Sequence, residues 1–135
     1  MSTRRNYNFT VDTLLDKAHR NRTRMSKCGR DDTDHIVEMQ LVVAALNNLR
    51  QGSYWSDDWT SRLVDFFNHR YSKNLQCLKP SLNQKKRGAV NKLLRRKKLT
   101  KDEKASIKKI ERHWNKNKRK LRGFKKFKSA MDEIL

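Results

Sequence analysis

Two short stretches hold most of the side chains able to do chemistry. Asp34-His35-Ile36-Val37 sets a carboxylate beside an imidazole, with Glu38 the one further acid close by. Asn74-Leu-Gln-Cys-Leu-Lys-Pro-Ser-Leu-Asn83-Gln-Lys-Lys86 carries two asparagines and ends in adjacent lysines. A carboxylate offers a cation a hard anionic oxygen, and an amide offers a neutral one. Histidine, with an ordinary pKa of ~6.5, suits general-base work near neutral pH. Taken singly these residues carry little. An Asp-His pair is commonly surface polarity, and Asn83 has an alternative as an N-cap beside Pro80-Ser81. Glu38 reads as a third ligand, as a partner of the ligands, or as a solvent-facing acid. His69, after Phe66-Phe67-Asn68, reads as a second catalytic or phosphate-binding group, or as a histidine closing a helix.

Charge narrows the partner. The chain has 135 residues and a formal net charge of +20. Residues 1–73 hold 12 Lys and Arg against 9 Asp and Glu, whereas residues 74–135 hold 22 against 5. A half so basic repels itself until something anionic neutralises it. Nucleic acid is the usual neutraliser, because each phosphate contact releases condensed counterions and gives strong, salt-sensitive affinity. Lys85, Lys86, Arg87, Lys92, Arg95, Arg96, Lys97 and Lys98 follow the second stretch and are expected to contact phosphate. DNA is the expected partner, with RNA left open, and the oligomeric state is unknown. No run of 18 apolar residues exists, so no membrane partner is expected. The first residues lack the apolar core of a secretory signal. Two cysteines, Cys28 and Cys77, make neither a disulfide framework nor a four-cysteine zinc site. They read as ordinary thiols of a reduced, intracellular protein, with Cys77 in the core. The basic runs 95–98 and 116–120 read either as nuclear signals or as nucleic-acid contacts.

Together the two stretches resemble the halves of the HNH (ββα-metal) nuclease motif. In that motif a strand ends in Asp-His, and a segment of the type Asn-Leu-Gln leads into a helix bearing Asn or His, then Lys or Arg. The resemblance covers about a third of the chain. It implies an endonuclease that hydrolyses phosphodiester bonds in DNA with one divalent cation, Mg²⁺ or Mn²⁺. It assigns Asp34 and Asn83 to the metal, His35 to deprotonating the attacking water, and Asn74 to bridging the backbone so that His35 is held in orientation. Glu38 and His69 are secondary candidates. Where many relatives carry zinc-binding cysteines this chain has Lys79 and Leu82, so no structural zinc is expected. The rival reading is a non-catalytic nucleic-acid-binding protein, architectural or packaging, with a degenerate finger.

The elements that must position these residues are mostly helical, since the chain has one proline and four glycines. A short helix is expected over about 10–20. A buried helix follows over 39–50 with Gly52 as its stop, and another starts at Ser56, with Trp59, Leu63, Phe66 and Phe67 on one face. Residues 71–78 read as extended. Pro80 and Ser81 open a helix to about Lys98, with Leu82, Ala89, Val90, Leu93 and Leu94 inward. Thr100 and Glu103 form a capping box for a helix over 101–122, with Gly123 at its C′ position. Phe124, Phe127, Met131 and Ile134 suit a last short helix. The expected class is therefore α+β and mostly helical, a small ββα-metal finger embedded in helices. The nuclease core spans 1–98 with a helical insertion at about 39–70, and 99–135 is a basic helical C-terminal extension of the same compact domain.

Overall fold

In the computed structural model the described residues are 28–49, 57–68 and 73–135. The helix expected over 10–20, Gly52, His69 and the side chain of Trp59 fall outside them. Two strands, β1 (Asp32–His35) and β2 (Leu75–Leu78), pair antiparallel. The helices are α1 (Met39–Asn48), α2 (Asp57–Asn68), α3 (Pro80–Leu94), α4 (Lys101–Asn117) and α5 (Lys125–Ile134), with a 3₁₀ turn at Lys118–Lys120. Among the described residues the fold is mostly helical with one small sheet, within the α+β class. None of these helices is long and apolar enough to cross a membrane.

The register decides what the sheet shows to each side. Asp34 pairs with Gln76 and Thr33 with Cys77. Successive strand residues face opposite ways, so Asp32, Asp34 and Gln76 share the face that meets α3. Thr33 and Cys77 share the other face. There Cys28 and Cys77 form a disulfide with Cα atoms 5.3 Å apart, which corrects the reading of two free thiols, and Cys77 is exposed. The turn in which the Asp31 N–H donates to the Cys28 carbonyl (3.1 Å) brings Cys28 back beside β1. A link across 49 positions restricts the unfolded chain by about 4 kcal/mol on the chain-entropy account.

One apolar cluster joins all five helices. α1 contributes Leu41, Val42, Ala45 and Leu46, and α2 contributes Leu63, Val64, Phe66 and Phe67. α3 adds Ala89 and Val90, α4 adds Ile107, Ile110 and Trp114, and α5 adds Phe127, Ala130 and Met131. At its centre Phe67 stacks on Trp114, with ring centroids 6.2 Å apart, and meets Phe127 edge-on. The Trp114 indole N–H donates to Asp132 Oδ1 at 2.8 Å, so the ring is buried without an orphaned donor. The segment 99–135 thus supplies core as well as charge.

Pro80 stands at the start of α3, where a missing N–H costs nothing. That helix ends at Leu94, four residues before Lys98, because Arg96 adopts a left-handed conformation (φ 56°). Its N–H donates to the Leu93 carbonyl (3.1 Å) and the Lys97 N–H to that of Lys92 (2.9 Å), the bonding pattern of a Schellman stop closed by arginine instead of glycine. Leu82, expected inward, is 47 % exposed. α4 begins at its capping box: the Glu103 N–H donates to Thr100 Oγ1 (3.2 Å) and the Thr100 N–H to Glu103 Oε1 (2.8 Å). It ends at Asn117, so Gly123 is not its C′ residue; Gly123 (φ 76°) instead turns the chain into α5.

Candidate functional site

The face of the sheet that carries Asp32 and Asp34 lies against one polar stripe of α3. Asn83 and Lys86 are three residues apart, and so are neighbours on the helix surface. Asn83 Nδ2 donates to Asp32 Oδ2 at 3.0 Å. Lys86 Nζ lies 2.6 Å from Asp34 Oδ2, donates also to the His35 carbonyl, and sits 3.2 Å from Glu38 Oε1. Gln76 Nε2 donates to the same Asp34 oxygen at 2.9 Å. Asp34, Glu38, Asn83 and Lys86 are all buried. Burial pushes the Glu38 carboxyl up to about 6; the Lys86 ammonium opposes that rise, while the negative Asp34 adds to it.

Lys86 is therefore not a surface phosphate contact as expected. Its ammonium is enclosed by two carboxylates and a carbonyl, an arrangement that satisfies a buried charge. Nor is Asn83 an N-cap: Lys79 holds that position, and Asn83 lies within the first turn of α3. Two buried side-chain oxygens among the described residues accept no hydrogen bond, Asn83 Oδ1 and Glu38 Oε1. Glu38 Oε1 is at ion-pair distance from Lys86 without hydrogen-bond alignment.

His35 is 1 % exposed and sends its ring toward the end of α2, where Nε2–H donates to Asn68 Oδ1. Asn74 is fully buried. Its Oδ1 accepts from the Val37 N–H (2.8 Å), and its Nδ2 donates to the carbonyls of Val37 (3.2 Å) and Phe67 (3.1 Å). The Ile36 N–H donates to its main-chain carbonyl at 2.7 Å. The Asn74 side chain thus ties the residues after β1 to the end of α2.

The Asn68 partner of His35, the buried lysine and the Asp32–Asn83 bond were not anticipated. The last two had a signal, because two acids alternate on β1 and two polar residues recur three apart on α3. The first is a contact across 33 positions with no local pattern.

Of the expected phosphate contacts, Lys85, Arg87, Arg95, Arg96, Lys97 and Lys98 are exposed. Arg87, two residues after Lys85, projects from the opposite side of α3. Lys92 is tied to Glu103, whose Oε1 and Oε2 both lie 3.0 Å from its Nζ. A groove of about 680 Å³ opens between the sheet, α3 and α4. Gln76 and Lys86 line it on the site's side, with Leu82, Lys85, Lys92 and Lys109 among its other walls.

The oxygens a hard divalent cation would use here are the carboxylates of Asp34 and Glu38, both paired with Lys86, with the unpaired amide oxygen of Asn83 on the same stripe of α3. No group of three or more His, Cys, Asp or Glu side chains is gathered as a metal cluster among the described residues. Comparison with protein-family models, with curated proteins and with solved structures gives no match for this chain.

Proposed function

We propose that the protein is a metal-dependent endonuclease that binds nucleic acid, DNA foremost, and hydrolyses its phosphodiester bonds. The observation that carries this reading is the convergence of β1, β2 and α3 on one buried nest, where Asp34, the His35 carbonyl and Glu38 surround a positive charge and Asn83 Oδ1 is unpaired. Asp34 and Asn83 would hold the cation, with Glu38 beside them. Bound there, a divalent ion would stabilise the charge that builds on the scissile phosphate and the leaving oxygen. The chain's own residues do the rest. His35, which the resemblance assigns as the base, is held through its Nε2 by Asn68. Asn74 fastens the segment after His35 to α2. Lys85 and Lys109, on the groove beside the nest, give a phosphate backbone its approach.

A second reading, non-catalytic nucleic-acid binding, is favoured by a specific observation: His35 is buried and bonded, on the side of the sheet away from α3. Nicking of supercoiled plasmid in Mg²⁺ or Mn²⁺ separates the two. The nuclease reading expects metal-dependent nicking that His35→Ala abolishes while gel-shift affinity is retained. Wild-type protein that binds the plasmid and never nicks it, under either metal, leaves the second reading standing. A digestion panel of duplex DNA, single-stranded DNA and RNA then assigns the substrate.

A further inference from the structure

The nest that would take a cation already contains one, supplied by the chain. We propose that Lys86 is the resident cation of this site, and that its ammonium and a divalent metal ion are alternative occupants of the oxygens of Asp34 and Glu38.

Three observations carry this. First, Lys86 Nζ touches oxygens from three residues, at 2.6 Å from Asp34, at 3.2 Å from Glu38 and at the His35 carbonyl. That is oxygen coordination of the kind a hard cation takes. Secondly, the lysine is buried, with 10 % of its side chain exposed, so its charge serves the nest and not the surface. Basic side chains are abundant here, and the others of its tract, Lys85 and Arg87, are exposed. Thirdly, one ammonium leaves oxygen unused. Glu38 Oε1 has only the unaligned ion pair, and Asn83 Oδ1, one helix turn before Lys86 on the same stripe of α3, accepts nothing. A lysine head has three donors; two go to Asp34 and the His35 carbonyl, and none is aligned on Glu38 Oε1. A divalent ion has more coordination positions and twice the charge.

The two occupants exclude each other by charge and by space. An ammonium 2.6 Å from an Asp34 oxygen stands where a metal bound to that oxygen would stand. Binding of the ion therefore requires the lysine head to leave, and its stem ends beside the groove that Lys85 and Lys92 also line. A phosphate arriving in that groove gives the displaced ammonium a new partner. Metal affinity is then low without nucleic acid and higher with it.

This inference rests on the nuclease reading for its metal, and its test uses metal binding alone. Mn²⁺ binding to the full chain, with no nucleic acid present, is followed by electron paramagnetic resonance and by thermal shift. Wild-type protein is expected to bind weakly and to keep its melting temperature in Mn²⁺. Lys86→Met, which keeps the stem and removes the charge, should bind at least tenfold more tightly. It should melt below wild type without metal and recover in Mn²⁺. Adding Asn83→Ala to that variant should weaken Mn²⁺ binding again. Equal Mn²⁺ affinity in wild type and Lys86→Met overturns the proposal, as does an equal rise in melting temperature. If Lys86→Met is unfolded without metal, circular dichroism during Mn²⁺ titration takes over: refolding supports the proposal, and a chain that stays unfolded at saturating Mn²⁺ refutes it. Plasmid nicking by wild type with equal metal affinities would sink this inference and keep the nuclease reading. Tight binding by Lys86→Met alongside a wild type that never nicks would do the reverse.

Discussion

Replacing Asn74 by alanine tests whether that side chain fastens the site or performs chemistry in it. The side chain is fully buried and makes three bonds to main chain, all between 2.8 and 3.2 Å. Alanine leaves the Val37 N–H without its acceptor, in a segment where Val37 is 1 % exposed. It also removes the donor to the Val37 and Phe67 carbonyls. An unmet buried donor costs roughly 1–3 kcal/mol, and carbonyls, with two lone pairs, cost less. The sum is about 3 kcal/mol. For a chain of this size that lowers the melting temperature by roughly 10 °C, since about 1 kcal/mol moves it by ~3–4 °C. Urea denaturation and differential scanning calorimetry measure both quantities. Mn²⁺ affinity should stay near the wild-type value, because the Asn74 side chain bonds the main chain of Val37 and Phe67 and not the residues of α3. A loss below about 1 kcal/mol would show that water or local rearrangement replaces these bonds. In the Lys86→Met background, a fall in Mn²⁺ affinity as steep as that from adding Asn83→Ala would show that the two asparagines have exchanged roles.

Arg96→Gly should stabilise the protein by about 1 kcal/mol, because Arg96 holds a left-handed backbone (φ 56°) that only glycine adopts without steric cost; chemical denaturation reads this, and a loss of stability would mean that the arginine side chain contributes more than the strain. The Glu38 carboxyl is raised to about 6 from 4.5, so the folded state binds its proton more tightly than the unfolded chain does. Its contribution is greatest below pH ~4.5 and declines by about 2 kcal/mol as pH rises through ~6. Glu38→Gln should flatten that part of the stability–pH curve, and an unchanged curve would remove Glu38 as its source.

How much of this was legible in the sequence depends on whether the signal was local. The start of α4 followed from Thr100 and Glu103, and both bonds of that capping box are present. The start of α3 followed from Pro80. The end of α3 did not, because an arginine took the conformation that sequence rules reserve for glycine. The disulfide did not either. Cys28 and Cys77 are 49 positions apart, and only the pairing of Thr33 with Cys77 brings them together. Within the site, the two stretches that hold Asp34 and Asn83 were found from residue type and order. Their contacts were not, since each depends on crossing two periods. Asp32 and Asp34 recur every second residue on a strand, Asn83 and Lys86 every third on a helix, and the match appears only once strand and helix are laid together.

That crossing also ties the chemistry of the site to the stability of the fold. Lys86 binds the Asp34 carboxylate on one side of β1 and the carbonyl of His35, the last residue of the strand, in the same embrace. Asn68 holds the His35 ring from the opposite side, and Asn74 anchors the next residues of the chain. Removing the ammonium therefore leaves Asp34 and Glu38 facing each other without a counter-charge and loosens the end of the strand that carries the candidate base. A buried ion pair broken on one side costs several kcal/mol, because the remaining charge has neither water nor partner. On the proposed exchange a divalent ion entering the nest would cancel that cost, and a phosphate in the groove would not. The strand end would then be released only when another cation is at hand to take the oxygens Lys86 gives up.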